Sequence, residues 1–232
     1  MISAQSRIRM TTASIGRRSF LLGATSIAAL ALAGCTSSVQ SRRIAEVQTP
    51  RVPPDVLAMY GPLPNEPFPI PAARPELIDP IYWRQLVDDP TGERPGTVVV
   101  DTNNRFLYLV RDGGKAMRYG VGIGRDGFTW SGRGVIQYKR AWPTWTPPSE
   151  MIARQPELEP YRNGMEPSLE NPLGARALYI FKDGRDTIYR VHGATDERTI
   201  GKAISSGCVR LLNQDVIDLH ERVPSGSPIL VM

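Results

Sequence analysis

The sequence has little of the residue types that bind metals or form covalent cross-links. Its 232 residues include only two cysteines and two histidines. One cysteine, Cys35, falls at the end of an apolar leader, so a disulfide framework is excluded for the mature monomer. The scarcity of both residue types also argues against a zinc site. We therefore expect neither a metal nor a cofactor.

Residues 1–35 lack acidic side chains but hold four arginines. The whole chain carries a net charge of +5, so the remainder carries +1. A nearly neutral mature chain gives no reason to expect a nucleic-acid partner. The apolar run in residues 21–33 is shorter than the roughly 20 residues that a membrane-spanning helix needs.

These features predict that residues 1–35 form an export signal. Residues 17–21 read Arg-Arg-Ser-Phe-Leu and resemble a twin-arginine signal. Residues 32–35 read Leu-Ala-Gly-Cys and resemble a bacterial lipobox, which predicts cleavage before Cys35 and a lipid on its sulfur. The alternatives are ordinary cleavage near residues 31–33 or an uncleaved anchor. The favoured interpretation is a periplasmic, cell-envelope protein held to a membrane through its N-terminal lipid.

Prolines recur from residue 50 to residue 95, which excludes long helices and central strands from this region. Residues 36–95 are thus predicted to be a proline-rich tether and extension. The tether covers residues 36–55, and the extension lies over the following domain. Asp79 is expected to cap a short helix that runs through Leu86 and Val87. A functional alternative is that the extension gates the active site.

Residues 96–232 are predicted to form the main domain. Strand patterns occur at 97–101, 106–110, 116–123, 134–140, 177–181, 187–191 and 229–232. Asn103-Asn104 and Asp183-Gly184 suit hairpin turns. Asn213 is expected to cap a helix with Asp215 in its first turn and one apolar face, while His220 borders that face as a capping or packing residue. The pattern predicts a mainly β sandwich or barrel with one or two short helices.

The candidate chemistry lies in residues 189–213. His192 follows an apolar strand, and Cys208 comes sixteen positions later, directly after Gly207. An imidazole can remove the proton from a thiol and stabilise the thiolate as an ion pair. A glycine before the nucleophile lets the backbone present N–H groups to an oxyanion. The structural alternative is a small buried cysteine and a histidine with a packing role.

The motifs resemble those of the L,D-transpeptidase (YkuD-type) catalytic domain. That family carries a His-Gly pair and, after a gap, Ser-His-Gly-Cys followed by an aliphatic residue and often by arginine. Here His192-Gly193 and the run from Ser205 to Arg210 match, with Ser206 in place of the second histidine. Residues 142–148 and the Asn-Pro-Leu-Gly of residues 171–174 also resemble family motifs. The resemblance covers residues 97–232.

The resemblance implies a role for each motif residue. Cys208 is expected to be the nucleophile and His192 the general base, with a backbone carbonyl near the histidine, at Gly193, fixing the imidazole. The N–H groups of Ser206, Gly207 and Cys208 are candidates for the oxyanion hole. Arg210 either binds a substrate carboxylate or pairs with a structural acid.

The implied reaction is peptidoglycan cross-linking between stem peptides. A thioester forms with the tetrapeptide, D-alanine leaves, and an amine acceptor resolves the thioester. Alternatives are an L,D-carboxypeptidase, a protein-to-wall anchoring enzyme, and a non-catalytic peptidoglycan-binding lipoprotein. The polar segment 149–170 is either a solvated loop or a lid over the substrate groove.

Overall fold

The computed structural model describes residues 52–124, 130–205 and 207–232. The predicted export signal, Cys35, most of the tether and Ser206 lie outside the described residues. Within the described ranges, the helices are too short or too polar to cross a membrane.

Eleven strands and three α-helices are found in the described ranges. The strands are β1 Gln85–Asp88, β2 Val98–Asp101, β3 Phe106–Arg111, β4 Lys115–Gly120, β5 Ile123–Gly124, β6 Gly132–Ala141, β7 Arg176–Lys182, β8 Arg185–Ala194, β9 Ala203–Ser205, β10 Val209–Leu212 and β11 Ser227–Val231. The helices are α1 Pro54–Met59, α2 Ser149–Arg154 and α3 Asn213–Arg222. Short 3-10 helices cover Pro75–Leu77, Pro80–Tyr82, Pro156–Tyr161 and Glu197–Thr199. The mainly β prediction is confirmed.

Nine strands form one mixed sheet in the order β1-β4-β3-β2-β11-β6-β7-β8-β10, and β5 pairs with β9 in a second, two-stranded sheet. The β2–β11 and β8–β10 pairs are parallel, and the other pairs of the large sheet are antiparallel. Val98 and Leu107, from β2 and β3, belong to the same buried cluster as Leu178 and Val209, from β7 and β10, together with Leu219 of α3. The sheet therefore curls around a shared core that α3 completes.

Both predicted hairpins form, but in the β2–β3 hairpin the residue with positive φ is not one of the predicted asparagines. Asp183 and Gly184 both have positive φ, at 51° and 74°, as a two-residue turn between β7 and β8 requires. In the β2–β3 connection the positive φ falls on Arg105, at 60°, and not on Asn103 or Asn104. Asn104 instead donates its backbone N–H to the Asp101 carboxylate, which stabilises the turn from its first residue.

Two helix predictions need correction. Asp79 does cap a helix, by accepting the Ile81 N–H at 3.0 Å, but this 3-10 helix ends at Tyr82. Leu86 lies in β1, because edge pairing with β4 satisfies its backbone better than one more helical turn. Asn213 is the first residue of α3 and not its cap. Its side-chain oxygen accepts the Ala175 N–H at 2.9 Å and so ties α3 to the start of β7.

The extension packs against α3 through buried polar contacts. The Tyr60 hydroxyl donates to the Asp215 carboxylate at 3.2 Å and accepts the Arg84 N–H at 2.8 Å. The Arg84 guanidinium also lies 3.1 Å from Asp218. Neither cavity that contains Cys208 is lined by a described residue of 52–94. The observed contacts thus hold the extension on the helix, away from the cavity walls, and do not support a gating role.

Asp215 is expected to make stability depend on pH between about 4 and 7. Burial raises its pKa to about 7, although Arg84 and Tyr60 partly oppose the rise. In this window the folded state binds more protons than the unfolded state, so the free energy of unfolding falls as pH rises, by at most about 1.4 kcal/mol per pH unit. Urea unfolding of Asp215→Asn between pH 5 and 8 should show a shallower decline than the parent.

Asp218→Asn is the matched control for this prediction. Burial raises the pKa of Asp218, but hydrogen bonds from Arg222 and Tyr119 outweigh that effect and hold the pKa below its usual value. The stability contributed by this carboxylate is lost only at lower pH. Asp218→Asn should therefore keep a decline above pH 5, moved to slightly lower pH because the Asp218 charge helps to raise the pKa of Asp215. Equal slopes in all three proteins would contradict the assignment to Asp215.

Candidate active site

The site is positioned by the parallel pairing of β8 with β10. Val191 pairs with Val209, and His192 pairs with Arg210. Successive residues of a strand point to opposite faces. Val191 and Val209 are fully buried in the core, so His192 and Arg210 point to the other face. Cys208, two residues before Arg210, lies on that same face.

Cys208 borders two cavities. The first has a volume of about 370 Å³ and contains the side chains of Cys208, His192 and Arg210. The second has a volume of about 450 Å³ and contains Cys208 and Gly207 together with Arg190. Trp145, Met151 and Leu173 line both cavities, so apolar walls surround the thiol.

His192 is a neutral imidazole with a fixed tautomer. Its side chain is 4 % exposed, and its Nδ1 lies 2.8 Å from the Gly193 carbonyl oxygen. A carbonyl only accepts hydrogen bonds, so Nδ1 carries the proton and Nε2 is left as an acceptor. Burial lowers the pKa of His192 to about 4. The hydrogen bond to Gly193 raises the pKa and so partly offsets burial, whereas the charges of Arg210 and Arg190 lower the pKa further. The ring is therefore ready to accept a proton.

Gly193 is required for close packing and not for a turn. A glycine after the histidine would allow a turn, but β8 continues to Ala194 and Gly193 has no positive φ. A Cβ at this position would overlap the Asn213 side-chain oxygen and press on Val216. The Gly193 N–H donates to the Leu173 carbonyl at 3.0 Å. The glycine thus lets three segments meet directly behind His192.

Asn171 ties the rim of the first cavity to this packing centre. Its side-chain amide donates to the carbonyls of Pro143, Met165 and Glu166 at 3.0 to 3.2 Å. Its side-chain oxygen accepts the Leu173 N–H at 2.9 Å. One buried amide therefore links the segment that carries Trp145 to the turn that supports β8.

Cys208 is a half-buried thiol whose pKa is raised. Burial is the main cause, opposed by a backbone hydrogen bond from Arg190 and by the charges of Arg190 and Arg210. The low pKa of His192 and the raised pKa of Cys208 describe a neutral pair. This differs from the thiolate–imidazolium ion pair that we expected, because the apolar walls penalise both charges.

Arg210 lies in the first cavity without a carboxylate partner among the described residues. Its Nε–H is buried and donates to no hydrogen-bond partner there. Burial lowers its pKa, although the nearby Cys208 and Asp196 oppose the change. Two interpretations were open for Arg210. No ion pair among the described residues supports the one in which Arg210 pairs with a structural acid. Asp196, which lies near His192 in the sequence, pairs with Arg198 at 2.9 Å.

Segment 149–170 forms a wall of the site. Met151 of α2 lines both cavities, and Leu158 and Tyr161 of the following 3-10 helix line the first. Glu159, by contrast, is exposed and pairs with Arg162 at 2.7 Å. The segment therefore combines a cavity-facing apolar side, as a lid over the groove requires, with a solvated charged side.

Gly207 has a φ of 132°, a conformation that other residues rarely adopt. This conformation explains why a glycine precedes the thiol. Its neighbour Ser206, a candidate oxyanion donor, lies outside the described residues. His220 faces away from the site, on α3, and its carbonyl accepts a hydrogen bond from Lys139.

Sequence reasoning missed Arg190 and Tyr179, which line the second cavity. Alternation along β8 gave the available signal, because Arg190 shares the face of His192. Their contacts depend on an irregular stretch of β8.

Comparison with known proteins identifies the family. The model of the YkuD L,D-transpeptidase catalytic domain matches residues 95–231, more than half of the chain. The chain belongs to this family. L,D-transpeptidases act on peptidoglycan peptides in the cell envelope.

Individual relatives agree with the family assignment. A probable L,D-transpeptidase, YbiS of Escherichia coli K12, is 33% identical over 145 residues, which are 60% of this chain and 45% of that protein. A putative L,D-transpeptidase of Fuscovulum blasticum is 32% identical over 58% of this chain and 68% of its own length. The match with the Escherichia coli relative thus spans less than half of that protein.

One solved structure shares more sequence with the chain. The crystal structure of a probable carnitine operon oxidoreductase from Brucella melitensis is 44% identical, covers 67% of this chain and 96% of its own, and has a TM-score of 0.47. At that TM-score the likeness has no weight in assigning a function.

The neutral resting pair predicts the pH dependence of thiol reactivity. In a Cys35→Ser background, the rate of Cys208 alkylation by iodoacetamide should rise with pH to a midpoint at or above the ordinary thiol value of about 8.5. Replacing His192 with alanine should lower this midpoint slightly or leave it unchanged, because a neutral ring contributes no stabilising charge. Intact-mass measurement of the alkylated fraction from pH 5 to 10 gives the midpoint. A plateau already reached near pH 6 would instead reveal an ion pair.

Proposed function

We propose that this chain is a peptidoglycan L,D-transpeptidase with Cys208 as nucleophile and His192 as general base. The observation that carries the proposal is that Cys208 lies where two cavities meet, with an oriented neutral imidazole in one of them. Family membership supports the same reaction class.

The acylation step follows from the tautomer of His192. Nε2 takes the thiol proton as the sulfur attacks the carbonyl carbon at the L-centre of the third stem residue. The tetrahedral oxyanion is held by backbone N–H groups, for which Ser206, Gly207 and Cys208 are the candidates. Collapse breaks the amide bond, and the departing D-alanine nitrogen takes the proton back from Nε2. A thioester and neutral His192 remain.

The second step uses the same groups in reverse order. An acceptor amine attacks the thioester carbonyl and gives its proton to Nε2, and the sulfur leaves with that proton as the new amide forms. Two cavities at one thiol provide room for a donor peptide and an acceptor peptide together. This arrangement favours an amine acceptor over water.

The organisation of the whole chain is part of the proposal. Residues 1–35 would direct export, Cys35 would carry the lipid anchor, and residues 36–95 would connect the membrane to a catalytic domain in residues 96–232. This interpretation rests on the twin-arginine-like and lipobox-like motifs. It places the enzyme in the periplasm, facing peptidoglycan.

Carbapenem acylation provides the first test. In a Cys35→Ser background, intact-mass analysis should show one adduct on the parent protein and none on Cys208→Ala. His192→Ala should acylate about 10² to 10⁴ times more slowly, since the general base is lost. His220→Ala is the matched control and should acylate at the parental rate, because His220 lies on α3. An unacylated parent protein would favour a non-catalytic peptidoglycan-binding lipoprotein.

Product analysis with stem tetrapeptide then separates the acceptors. A cross-linked dimer supports transpeptidation. Tripeptide alone would indicate an L,D-carboxypeptidase, and product formed only with a lysine-bearing protein would indicate an anchoring enzyme.

Arg210 is proposed to bind a free carboxylate of the substrate. A charge-assisted hydrogen bond of this kind is worth about 1.5–3 kcal/mol, or about 10- to 150-fold in binding. The parent should therefore have a lower KM for a free-acid tetrapeptide than for one with its side-chain carboxyl amidated. Arg210→Gln should lose this preference. Equal KM ratios in the parent and the variant would show that Arg210 does not recognise the carboxylate.

A further inference from the structure

Arg190 is held rigidly on the face of β8 that carries His192. Its guanidinium donates two hydrogen bonds to the Asp186 carboxylate, at 2.7 and 2.8 Å, and one to the Tyr189 carbonyl at 2.9 Å. Its carbon atom Cζ lies 4.4 Å above the centre of the Tyr179 ring. The side chain is only 14 % exposed. This arginine therefore keeps one position and is not a mobile surface charge.

An irregular stretch of β8 makes this arrangement possible. In a regular strand, residues four apart are separated by about 13 Å, too far for a close pair on the same strand. The β7–β8 register shifts between Tyr179 and Phe181, and Ile188 adopts a φ of 67°. Positive φ is a strained conformation for a β-branched residue. The Asp186 carboxylate accepts the Ile188 N–H at 2.8 Å, which stabilises the bulge and brings Asp186 back to Arg190.

An aromatic stack supports the arginine from the opposite side. Tyr179 stacks on Tyr138 with ring centres 4.3 Å apart, and Arg140 lies 5.5 Å from the centre of the Tyr138 ring. Both faces of each tyrosine are therefore in contact with a neighbour. The stack leaves no free aromatic face for a ligand, so we interpret it as support for Arg190.

Arg190 stands opposite the thiol across the β8–β10 pair. Val191 pairs with Val209, so the preceding residues, Arg190 and Cys208, lie side by side where the pairing begins. Both line the second cavity. The backbone N–H of Arg190 bonds to the Cys208 sulfur, and its charge lowers the thiol pKa against the larger effect of burial.

We propose that Arg190 is a positioning residue for Cys208, which fixes the sulfur through its backbone N–H and stabilises the developing thiolate with a charge that Asp186 and Tyr179 hold in place. The proposal rests on Cys208 being the nucleophile.

Other charged groups surround the thiol and must be kept constant. Tyr189, His192 and Arg210 also line the cavities at the thiol. The facing wall carries Glu150, Arg154, Tyr161 and Glu170. Arg190 differs from these because it combines an ion pair, a ring contact and a backbone bond to the sulfur.

The test measures iodoacetamide alkylation of Cys208 against pH in full-length protein with Cys35→Ser. Arg190→Gln should raise the midpoint and slow alkylation at pH 7 by about 3- to 30-fold, while the limiting rate at high pH is kept. Arg190→Lys should restore part of the lost rate, because it returns the charge without the planar fork. Circular dichroism and melting temperature establish that each variant is folded.

Asp186→Asn separates this role from a structural ion pair. It breaks the same pair as Arg190→Gln but leaves the arginine charge without its counterion, so its midpoint should stay at the parent value or fall. Opposite behaviour of the two variants supports the proposal. Superimposable pH curves for the parent and Arg190→Gln, or equal upward shifts in Arg190→Gln and Asp186→Asn, would overturn it. If Arg190→Gln does not fold, Asp186→Asn decides: a midpoint at or below the parent value supports the proposal, and a midpoint above it overturns the proposal.

Alkylation requires no peptidoglycan substrate, so the two proposals fail separately. A midpoint shift in Arg190→Gln, found in a protein that forms no acyl adduct, would overturn the proposed function and leave the role of Arg190. Acylation at Cys208, together with alkylation midpoints that do not shift in Arg190→Gln, would support the proposed function and overturn the role of Arg190.

Discussion

The structure depends on the parallel pairing of β8 with β10. This pairing brings His192 and Cys208, which are sixteen positions apart in the sequence, onto neighbouring segments. Alternation along each strand places Val191 and Val209 in the core and the candidate site residues on the opposite face. Parallel neighbours cannot be joined by a tight turn. The intervening chain therefore makes a detour, in which β9 pairs with β5. Gly122, directly before β5, exchanges two backbone hydrogen bonds with Arg210 of β10. Those bonds hold β10 from its other side.

The electrostatics of the site follow from its apolar walls. Burial moves the pKa of His192 down and that of Cys208 up, so both groups are neutral at rest. In the proposed reaction, charge appears only when the proton crosses from sulfur to Nε2. The cations that remain, Arg190 and Arg210, oppose the formation of an imidazolium and favour a thiolate. Their balance sets how easily the proton moves, and the carbonyl of Gly193 contributes by fixing the ring and supporting its positive form.

Buried and partly buried polar groups also join the extension to the main sheet. Tyr60 and Arg84 converge on Asp215 and Asp218 of α3, while Glu66 pairs with Arg176 at the start of β7 at 2.7 Å. Such buried groups need their partners, because an unpaired charge in a low-dielectric interior is costly. The extension thus completes the back of the domain whose front carries the site, and α3 connects the two through Asn213 behind Gly193.

The sequence by itself determined the local features of this protein. Residues close together in the sequence determine the strand alternation, the Asp183-Gly184 turn and the apolar face of α3. The His-Gly and Ser-x-Gly-Cys motifs indicated both the family and the candidate pair, His192 and Cys208. Tertiary structure alone decided that Asn213 bonds Ala175 instead of capping its helix, that Gly193 is needed for packing, and that Arg190 lies beside the thiol. Tertiary structure also decided, through burial, that His192 and Cys208 are both neutral at rest. These outcomes depend on burial and on partners distant in the chain, and neither can be derived from local spacing.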